Sequence, residues 1–398
     1  MPGNPADRVK TARTYLDWNA TAPLRPEARA AMLAAMDLVV NPSSVHAEGR
    51  SARAVVEEAR ESIAAAVGAE PRNVIFTAGG TEANALALGA GFARDGHGPC
   101  DVVFVSEIEH VSVTGAEPGL AMSGFGARPD GVASIEELRS RLADAAARGL
   151  RRPKVALMAA NNETGVIQPV AAAAAAVHEA GGLLHVDAVQ ALGKMSIDIN
   201  ALGADLVAIS AHKVGGPMGV GALVLGSRDL HPRTPVRSAG GQERNRRSGT
   251  ENLIGIAGFG AAVRAAVRDL AAEQGRLLDL RTQLERGLRD MSPETVIFGE
   301  SAARVCNTVQ FSIPGIRAET ALIALDLEGV AVSSGSACSS GKVSPSAVIK
   351  AMGFDERTAA GAIRVSFGRD TGIAEIDAFL SAWRKVAQPL LKRREIAA

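Results

Sequence analysis

The chain has 398 residues, of which 47% are hydrophobic and 22% charged, a composition that predicts a folded globular protein large enough for two domains and excludes a disordered chain. Its 43 basic residues equal its 43 acidic residues, which argues against nucleic acid as a partner. The three cysteines form no CxxC pair and no run of 18 apolar residues occurs, so we expect a reduced, cytoplasmic protein without a disulfide framework, zinc site or membrane contact.

Six short apolar runs between residues 73 and 225 are typical of β-strands, and helical patterns separate several of them. They cover residues 74–77, 101–105, 154–160, 183–188, 205–210 and 220–225. This alternation predicts an α/β fold, with a mostly parallel sheet covered by helices on both faces, in a large domain at residues 14–255. In such sheets the ligand site lies beyond the carboxyl ends of the strands.

The pattern changes after residue 252, where a long helical stretch is predicted at 253–291. Beyond it we predict a strand at 305–313, a helix at 319–327, a strand at 362–367 and a last helix from about residue 374. These elements indicate a smaller α+β domain at 256–398, and we expect residues 1–25 to pack on it.

Polar residues follow five of the predicted strands of the large domain at the point where each strand ends. They are residues 79–82, 106–110, 161–163, 187 with 190, and 210–213. Each group alone is explained by loop solvation or helix capping. Because all five would meet at one edge of the sheet, their joint occurrence predicts a ligand pocket.

Three of these residues indicate the kind of ligand. Thr81 follows two glycines at the start of a predicted helix. This start is either a binding site for an anion or an ordinary helix N-terminus capped by Thr81. Lys213 ends an apolar strand, where desolvation would lower its pKa and favour Schiff-base chemistry; the alternative is an exposed turn lysine. Asp187 ends another apolar strand and needs a cation, for which a pyridinium nitrogen is suited. Together they predict pyridoxal 5'-phosphate, and we interpret His185 as structural.

The motifs that carry these residues resemble those of one enzyme family. They are TAGGTEANALAL, SEIEH, NNETGVIQP, HVDAVQALGK, SAHKVGGPMGVGAL, RSGTEN, SSGSACSSG and IRVSFGR, in chain order. The chain resembles the group I cysteine desulfurases of the class V aminotransferases from about residue 15 to the last helix. This resemblance implies the pyridoxal-phosphate fold-type I, which has a large domain with a mostly parallel seven-stranded sheet and a smaller α+β domain.

The resemblance also implies a role for each residue of the cofactor site. Lys213 would bond covalently to the cofactor, Asp187 would pair with the pyridine nitrogen, Gln190 would contact the ring oxygen, and His110 would stack on the ring as a candidate for proton transfer to the substrate sulfur. Gly80, Thr81, Ser210 and His212 would hold the phosphate, and Thr250 would reach the phosphate of the partner subunit. The active unit would therefore be a homodimer.

The substrate implied by the resemblance is L-cysteine, which leaves as L-alanine. Arg364 and Asn162 would bind its carboxylate, with Asn41 nearby, and Asn162 would also contact the cofactor. Cys338 would take the sulfur as a persulfide and pass it to an acceptor protein such as an iron–sulfur scaffold.

The sequence around Cys338 is rich in serine, glycine and alanine, which suits an exposed, mobile loop. An idle surface thiol is the alternative. Cys100 and Cys306 lie in or beside apolar stretches, so we expect them to be small buried residues.

Other functions remain open at this stage. A transaminase or a selenocysteine lyase would share the fold, and a catalytically silent protein of sulfur trafficking is a further alternative. The sulfur acceptor is also open between a scaffold for nitrogenase clusters, a general cluster scaffold and thiolation proteins. Arg244, Arg246 and Arg247 could face an acidic acceptor or the dimer interface, although a salt-bridged loop is the simpler interpretation.

Overall fold

The structure is a computed structural model that describes residues 13–38, 41–89, 91–116, 119–232, 241–334 and 344–397. Its helices are α1 (Pro26–Met36), α2 (Ala47–Ala66), α3 (Gly80–Gly89), α4 (Val111–Thr114), α5 (Ile135–Ala147), α6 (Val170–Glu179), α7 (Ile199–Leu202), α8 (Leu253–Met291), α9 (Ala318–Leu327), α10 (Ala347–Ala351), α11 (Glu356–Ala360) and α12 (Ile373–Ala397). None of them is both long and apolar enough to cross a membrane, as far as the described ranges show.

The strands in the same ranges are β1 (Thr14–Tyr15), β2 (Val74–Thr77), β3 (Phe92–Arg94), β4 (Val102–Ser106), β5 (Met122–Phe125), β6 (Pro153–Ala156), β7 (Leu183–Asp187), β8 (Leu206–Ser210), β9 (Gly221–Leu225), β10 (Leu230–Pro232), β11 (Val296–Ile297), β12 (Thr308–Ser312), β13 (Val330–Ala331) and β14 (Ile363–Ser366). All six strands predicted between residues 73 and 225 are present, with ends shifted by a few residues.

Seven strands form the central sheet in the order β2-β9-β8-β7-β6-β4-β5. The pairs from β8 to β5 are parallel, whereas β9 is antiparallel to both of its neighbours. The predicted α/β fold with a mostly parallel seven-stranded sheet is therefore confirmed. Every residue of β2, β4, β6, β7, β8 and β9 is buried, as expected where helices cover both faces of a sheet.

Helix α8 covers the whole of the predicted stretch 253–291 and joins two hydrophobic clusters. Phe259 and Val263 in its first half belong to the large cluster around the central sheet. Leu284 and Leu288 in its second half belong to a smaller cluster. The side chain of Asn252 caps the helix by accepting a hydrogen bond from the Gly255 amide at 3.0 Å.

The smaller cluster is built around the three-stranded antiparallel sheet β11-β12-β14 and helix α12. The Phe311 ring meets the rings of Phe379 and Trp383 edge-on, with centroids 6.4 and 5.3 Å apart. Leu16 and Trp18 pack in the same cluster, and β1 pairs in parallel with β13. Residues 14–18 therefore pack beside the C-terminal elements of the chain.

A buried ion pair holds an unusual turn against the edge of the central sheet. The Arg60 guanidinium donates to both carboxylate oxygens of Glu243, at 2.8 and 3.0 Å, and the Phe76 amide donates to the same carboxylate at 3.1 Å. Glu243, Arg244 and Asn245 all have positive φ, between 46° and 64°, a conformation that L-residues rarely adopt. The ion pair thus fixes the turn that leads into the RSGTEN motif.

Candidate active site

A cavity of about 380 Å³ lies at the carboxyl ends of the parallel strands and brings together all five polar groups that follow them. Ten of the sequence-predicted site residues line it: Gly80, Thr81, His110, Asn162, Asp187, Gln190, Ser210, His212, Lys213 and Arg364. Nine come from the central sheet and its loops, and Arg364 comes from β14 of the smaller sheet. The pocket thus lies where the two parts of the fold meet.

Lys213 ends a single helical turn, Ala211–Lys213, that directly follows β8. Its Nζ donates to the carbonyl oxygens of Asn19 and Ala20, at 2.6 and 2.8 Å. Burial lowers its pKa to about 8, and the positive charge of Arg364 acts in the same direction, while Asp17 and Asp187 act against it. The amine therefore loses its proton more easily than an exposed lysine, as a nucleophilic lysine requires.

Asp187 is the last residue of β7 and is only 7% exposed. Its Oδ1 accepts from the Val189 amide at 2.9 Å and its Oδ2 accepts from Asn84 Nδ2 at 2.8 Å. Both donors are neutral, so these bonds leave the carboxylate's charge without a compensating cation. A buried carboxylate in this condition suits a cationic ligand atom such as a protonated ring nitrogen.

Another part of the pocket wall is formed by the first residues of α3, whose amides point beyond the helix. A side chain at Gly80 would place its Cβ 2.8 Å from Val189 Cγ2, so a larger residue there would require Val189 to move. His212 also lines the pocket, with its Nδ1 3.1 Å from Thr21 Oγ1, and burial lowers its pKa to about 4. The amides and hydroxyls here suit a phosphate group.

Two buried polar atoms in the pocket wall have no hydrogen-bond partner, Arg364 Nε and Asn162 Oδ1. The rest of the guanidinium is fixed, because Nη1 donates to the Asn162 carbonyl at 3.0 Å and Nη2 donates to Asp17 Oδ1 at 2.7 Å. Since buried polar groups in folded proteins are nearly always bonded, a pair of such atoms in one pocket indicates a place for a ligand.

Gln190 belongs to a buried hydrogen-bond network with Asn19 and Lys194 that we did not predict from the sequence. Its Nε2 donates to the Asn19 carbonyl at 3.0 Å, and its Oε1 accepts from Lys194 Nζ. Lys194 Nζ also donates to Asn19 Oδ1 at 2.8 Å, and burial lowers its pKa to about 7. The position of Lys194 within the motif HVDAVQALGK is the only signal that could have identified it.

His110 precedes α4 and lines the pocket with an exposed side chain. Its pKa lies below the ordinary value mainly because of desolvation; Asp187 raises it, and Lys213 and Arg364 lower it. The predicted structural role of His185 agrees with its burial: it is fully enclosed, and its Nε2 lies 2.8 Å from Asn84 Oδ1. Asn84 and Ser112, which also line the pocket, are not in our sequence-based prediction.

Two of the predicted site residues that the structure describes, Asn41 and Thr250, do not line this pocket. Asn41 and Thr250 are exposed on the single chain, which is compatible with the expectation that Thr250 serves a partner subunit. Cys338 lies outside the described residues, as does most of the serine-rich segment around it. Cys100 and Cys306 are buried as predicted, and desolvation raises the pKa of both thiols.

Residues 14–379 match the class V aminotransferase family. A cysteine desulfurase IscS of Dictyoglomus turgidum is 36% identical over 389 residues, which cover 94% of this chain and 95% of the relative. A cysteine desulfurase of Bradyrhizobium diazoefficiens is 38% identical, with 92% of each chain covered. The chain belongs to the cysteine desulfurase family.

Solved structures of other proteins share the fold of this cysteine desulfurase. A NifS-like protein from Rickettsia africae has a TM-score of 0.85 at 32% identity and covers 94% of this chain and 99% of its own. The structure titled "SspA in complex with cysteine" has a TM-score of 0.75 at 26% identity and covers 89% and 99%, respectively. The family implies pyridoxal phosphate, and the lysine, the carboxylate, the start of α3 and the two unpartnered polar atoms all fit this group.

Proposed function

We propose that this desulfurase removes sulfur from L-cysteine with bound pyridoxal 5'-phosphate, releases L-alanine and holds the sulfur as a persulfide on Cys338. The observation that supports this most is that the Lys213 amine and the Asp187 carboxylate line the same pocket. One is a half-buried amine with a lowered pKa, and the other is a buried carboxylate that bonds only to neutral donors. This combination suits an aldehyde cofactor with a basic ring nitrogen.

Residues along the pocket divide into two sets of contacts. The cofactor contacts are Lys213 at the aldehyde carbon, Asp187 at the ring nitrogen, Gln190 at the ring oxygen, His110 on the ring face, and Gly80, Thr81, Ser210 and His212 at the phosphate, with Asn162 as a further contact. Arg364 and Asn162 bind the substrate carboxylate, and Asn41 is near them in this proposal. The unpartnered Arg364 Nε and Asn162 Oδ1 support that assignment.

The bound cofactor supplies an electron sink that stabilises negative charge at the substrate α-carbon. Lys213 takes up the α-proton, for which its lowered pKa is suited. The Cys338 thiolate then bonds to the substrate sulfur while the Cβ–S bond breaks. That electron pair stays with the carbon fragment, which leaves as alanine after protonation, and the enzyme keeps the sulfur.

We place most of the pocket in a domain at residues 14–255, and Arg364 and Cys338 in a second domain at 256–398, on which the N-terminal residues pack. The smaller hydrophobic cluster supports a second domain, because its members are residues 16–22 and residues after 276, while the large cluster also takes in residues such as Phe298 and Ile349. We also propose a cytoplasmic homodimer in which Thr250 reaches the partner's phosphate site. Arg247 Nε donates to Glu82 Oε1 at 2.9 Å, which ties the RSGTEN motif to the helix that begins the phosphate site.

The acceptor of the sulfur is a protein, in our proposal an iron–sulfur scaffold. The arginines of the 244–247 turn are less available to it than the sequence alone indicates. Arg247 bonds to Glu82, Arg246 donates to the Arg72 carbonyl at 2.9 Å, and Arg244 lies 3.9 Å from Glu57. The simpler interpretation of a salt-bridged turn is therefore favoured for Arg244 and Arg247, while Arg246 is held by a backbone carbonyl.

The test uses purified protein loaded with pyridoxal phosphate and given L-cysteine and a thiol reductant. We expect alanine and sulfide in equal amounts from the wild type. Cys338→Ala should keep the visible absorbance of the bound cofactor and lose sulfide formation, whereas Lys213→Ala should lose both. Cys100→Ala, which removes a buried thiol that does not line this pocket, is the matched control and should behave as the wild type.

Each alternative predicts a different result from the same assay. A transaminase would convert amino acids without Cys338, and a selenocysteine lyase would act on selenocysteine and leave cysteine unchanged. A silent trafficking protein would remain colourless in the presence of pyridoxal phosphate. Any of these outcomes with folded protein overturns the proposed function.

A further inference from the structure

The histidine beside the cofactor site is held through one of its two ring nitrogens. His110 is the N-cap of α4, and its Nδ1 accepts a hydrogen bond from the Ser112 amide at 3.1 Å. A ring nitrogen that accepts from a backbone N–H carries no proton itself. In the neutral ring the proton must therefore be on Nε2.

Ser112 adds a second donor to the same nitrogen. Its Oγ lies 2.8 Å from His110 Nδ1 and 2.9 Å from Asn84 Nδ2. An amide nitrogen only donates, so the hydroxyl accepts from Asn84, and its single proton is directed at the imidazole. The lone pair of Nδ1 is thus shared by an amide and a hydroxyl.

The orientation of Asn84 follows from its other contacts. This fully buried side chain donates from Nδ2 to Asp187 Oδ2 at 2.8 Å, and its Oδ1 lies 2.8 Å from His185 Nε2. Burial lowers the pKa of His185 to about 3, so this ring is neutral and donates from Nε2. The opposite amide orientation would place the Asn84 oxygen against the Asp187 carboxylate, and two acceptors would face each other.

We propose that Asn84 and Ser112 are positioning residues that hold His110 as its Nε2–H tautomer, so that His110 offers the pocket a hydrogen-bond donor for the thiolate or carboxylate of the substrate rather than a base. This inference rests on the proposed function for the identity of that anion. The tautomer itself depends only on contacts within the chain.

This tautomer determines which of His110 and Lys213 can accept a proton in the pocket. To become charged, His110 would have to add a proton at Nδ1, where it would face the Ser112 amide proton. Asp187 favours that charge, while Lys213 and Arg364 oppose it. Lys213 is then the proton acceptor of the pocket, and His110 stabilises negative charge on the substrate.

Helix capping alone does not explain the arrangement, as a second histidine shows. His46 is the N-cap of α2, and its Nδ1 is 3.3 Å from the Gly49 amide. The same nitrogen lies 3.0 Å from a carboxylate oxygen of Glu48, so an amide donor and a carboxylate acceptor compete for it and the contacts select neither tautomer. His46 therefore caps a helix without a fixed tautomer and serves as an internal reference.

Nitrogen NMR of protein labelled with ¹⁵N-histidine tests the inference in both the cofactor-free and the cofactor-loaded protein. His110→Gln and His46→Gln assign the two sets of ring signals. We expect His110 near neutral pH to show a bare Nδ1 and a protonated Nε2, in contrast to His46. Ser112→Ala should lower the ratio of the Nε2–H to the Nδ1–H tautomer roughly fivefold, the effect of one lost hydrogen bond.

Two control variants separate positioning from a general effect on folding. Ser112→Thr keeps the hydroxyl and should restore the wild-type tautomer ratio, and Thr114→Ala removes an exposed hydroxyl from the same helix without changing it. A protonated Nδ1 in the wild type, or an unchanged ratio in Ser112→Ala, overturns the inference even if the enzyme desulfurates cysteine. An Nε2–H ring in a protein that forms no sulfide supports the tautomer and overturns only the proposed function.

Discussion

Arg364 and Ser333 are joined by two backbone hydrogen bonds: the Arg364 amide donates to the Ser333 carbonyl at 2.6 Å, and the Ser333 amide donates to the Arg364 carbonyl at 3.2 Å. The Arg364 guanidinium meanwhile reaches into the pocket. Ser333 precedes Cys338 by only a few residues in the sequence. Strand β14 therefore carries the Arg364 side chain that we assign to the substrate carboxylate. The same strand also pairs with Ser333, at the start of the segment that leads to Cys338.

Replacing Arg364 with lysine should weaken substrate binding. A lysine carries its three N–H donors on one nitrogen, so it cannot reproduce the contacts that the guanidinium makes from separate atoms: Nη1 to Asn162, Nη2 to Asp17 and Nε to the pocket. We expect kcat/KM for cysteine to fall roughly 10- to 100-fold, as expected when a charge-assisted bond is lost, mainly through KM. Arg289→Lys at an exposed ion pair is the control. An unchanged KM in Arg364→Lys would rule out the assigned role.

Asp187→Asn should damage both cofactor binding and turnover. Asparagine keeps the size of the side chain, but it removes the negative charge and places an amide group near the donors Asn84 and Val189. We expect kcat to fall by roughly a hundredfold, the scale of losing a preorganised charge, together with weaker binding of pyridoxal phosphate in equilibrium dialysis. Asp95→Asn changes an exposed carboxylate and should alter neither quantity. Normal cofactor affinity and turnover in Asp187→Asn would contradict our assignment of this residue.

Lys194 should make the free energy of unfolding of the cofactor-free protein depend on pH. Burial lowers its pKa to about 7 in the folded state, against 10.5 for the ordinary group, so between these values the unfolded chain binds more protons. The contribution of Lys194 to the free energy of unfolding therefore rises from about pH 7 towards pH 10.5. Below pH 7 it is constant, because the amine is protonated in both the folded and the unfolded state. Lys213 acts in the same direction from about pH 8.

Urea denaturation at pH 7, 8 and 9 measures this effect. Lys194→Met should reduce the slope of unfolding free energy against pH by up to about 1.4 kcal/mol per pH unit, while the exposed Lys350→Met should leave the slope as in the wild type. Equal slopes in the wild type and Lys194→Met would show that the buried amine keeps its ordinary pKa.

Replacing only one partner of the ion pair between Arg60 and Glu243 should lower the free energy of unfolding strongly. Arg60→Met leaves the Glu243 carboxylate buried and without its cation, and we expect a loss of about 3–5 kcal/mol in unfolding free energy. The double variant Arg60→Met with Glu243→Gln removes both charges and should lose less than the sum of the single variants. Additive losses in this double-mutant cycle would mean that the two side chains do not interact.

The fold was predictable where apolar runs are long or strongly periodic. The buried strands β2, β7 and β8 and the 39-residue helix α8 agree closely with the pattern of the sequence. The edge strand β5 is missing from the prediction because its first two residues are exposed and its sequence, MSGF, has no apolar run. Predicting β5 would have required knowledge of its pairing with β4.

The pocket was predictable in outline for a similar reason. Polar residues that end buried strands must converge on one edge of a parallel sheet, so Asp187 and Lys213 could be placed together before the structure was known. Asn84, Ser112 and Lys194 could not be placed there, because they resemble ordinary polar residues of helices and loops and only Lys194 has a local signal, its position in the motif HVDAVQALGK. Their roles depend on contacts with residues distant in the sequence, such as Asn84 with Asp187 and Lys194 with Asn19.

The most direct test of the account is to locate the transferred sulfur. The cofactor-loaded enzyme would receive one equivalent of L-cysteine without reductant, followed by alkylation of thiols and persulfides, proteolysis and mass spectrometry. We predict one additional sulfur atom on the peptide that contains Cys338 and none on the peptides of Cys100 or Cys306. Alanine formation with the extra sulfur on either of those cysteines, or with no protein-bound sulfur at all, would contradict the central claim.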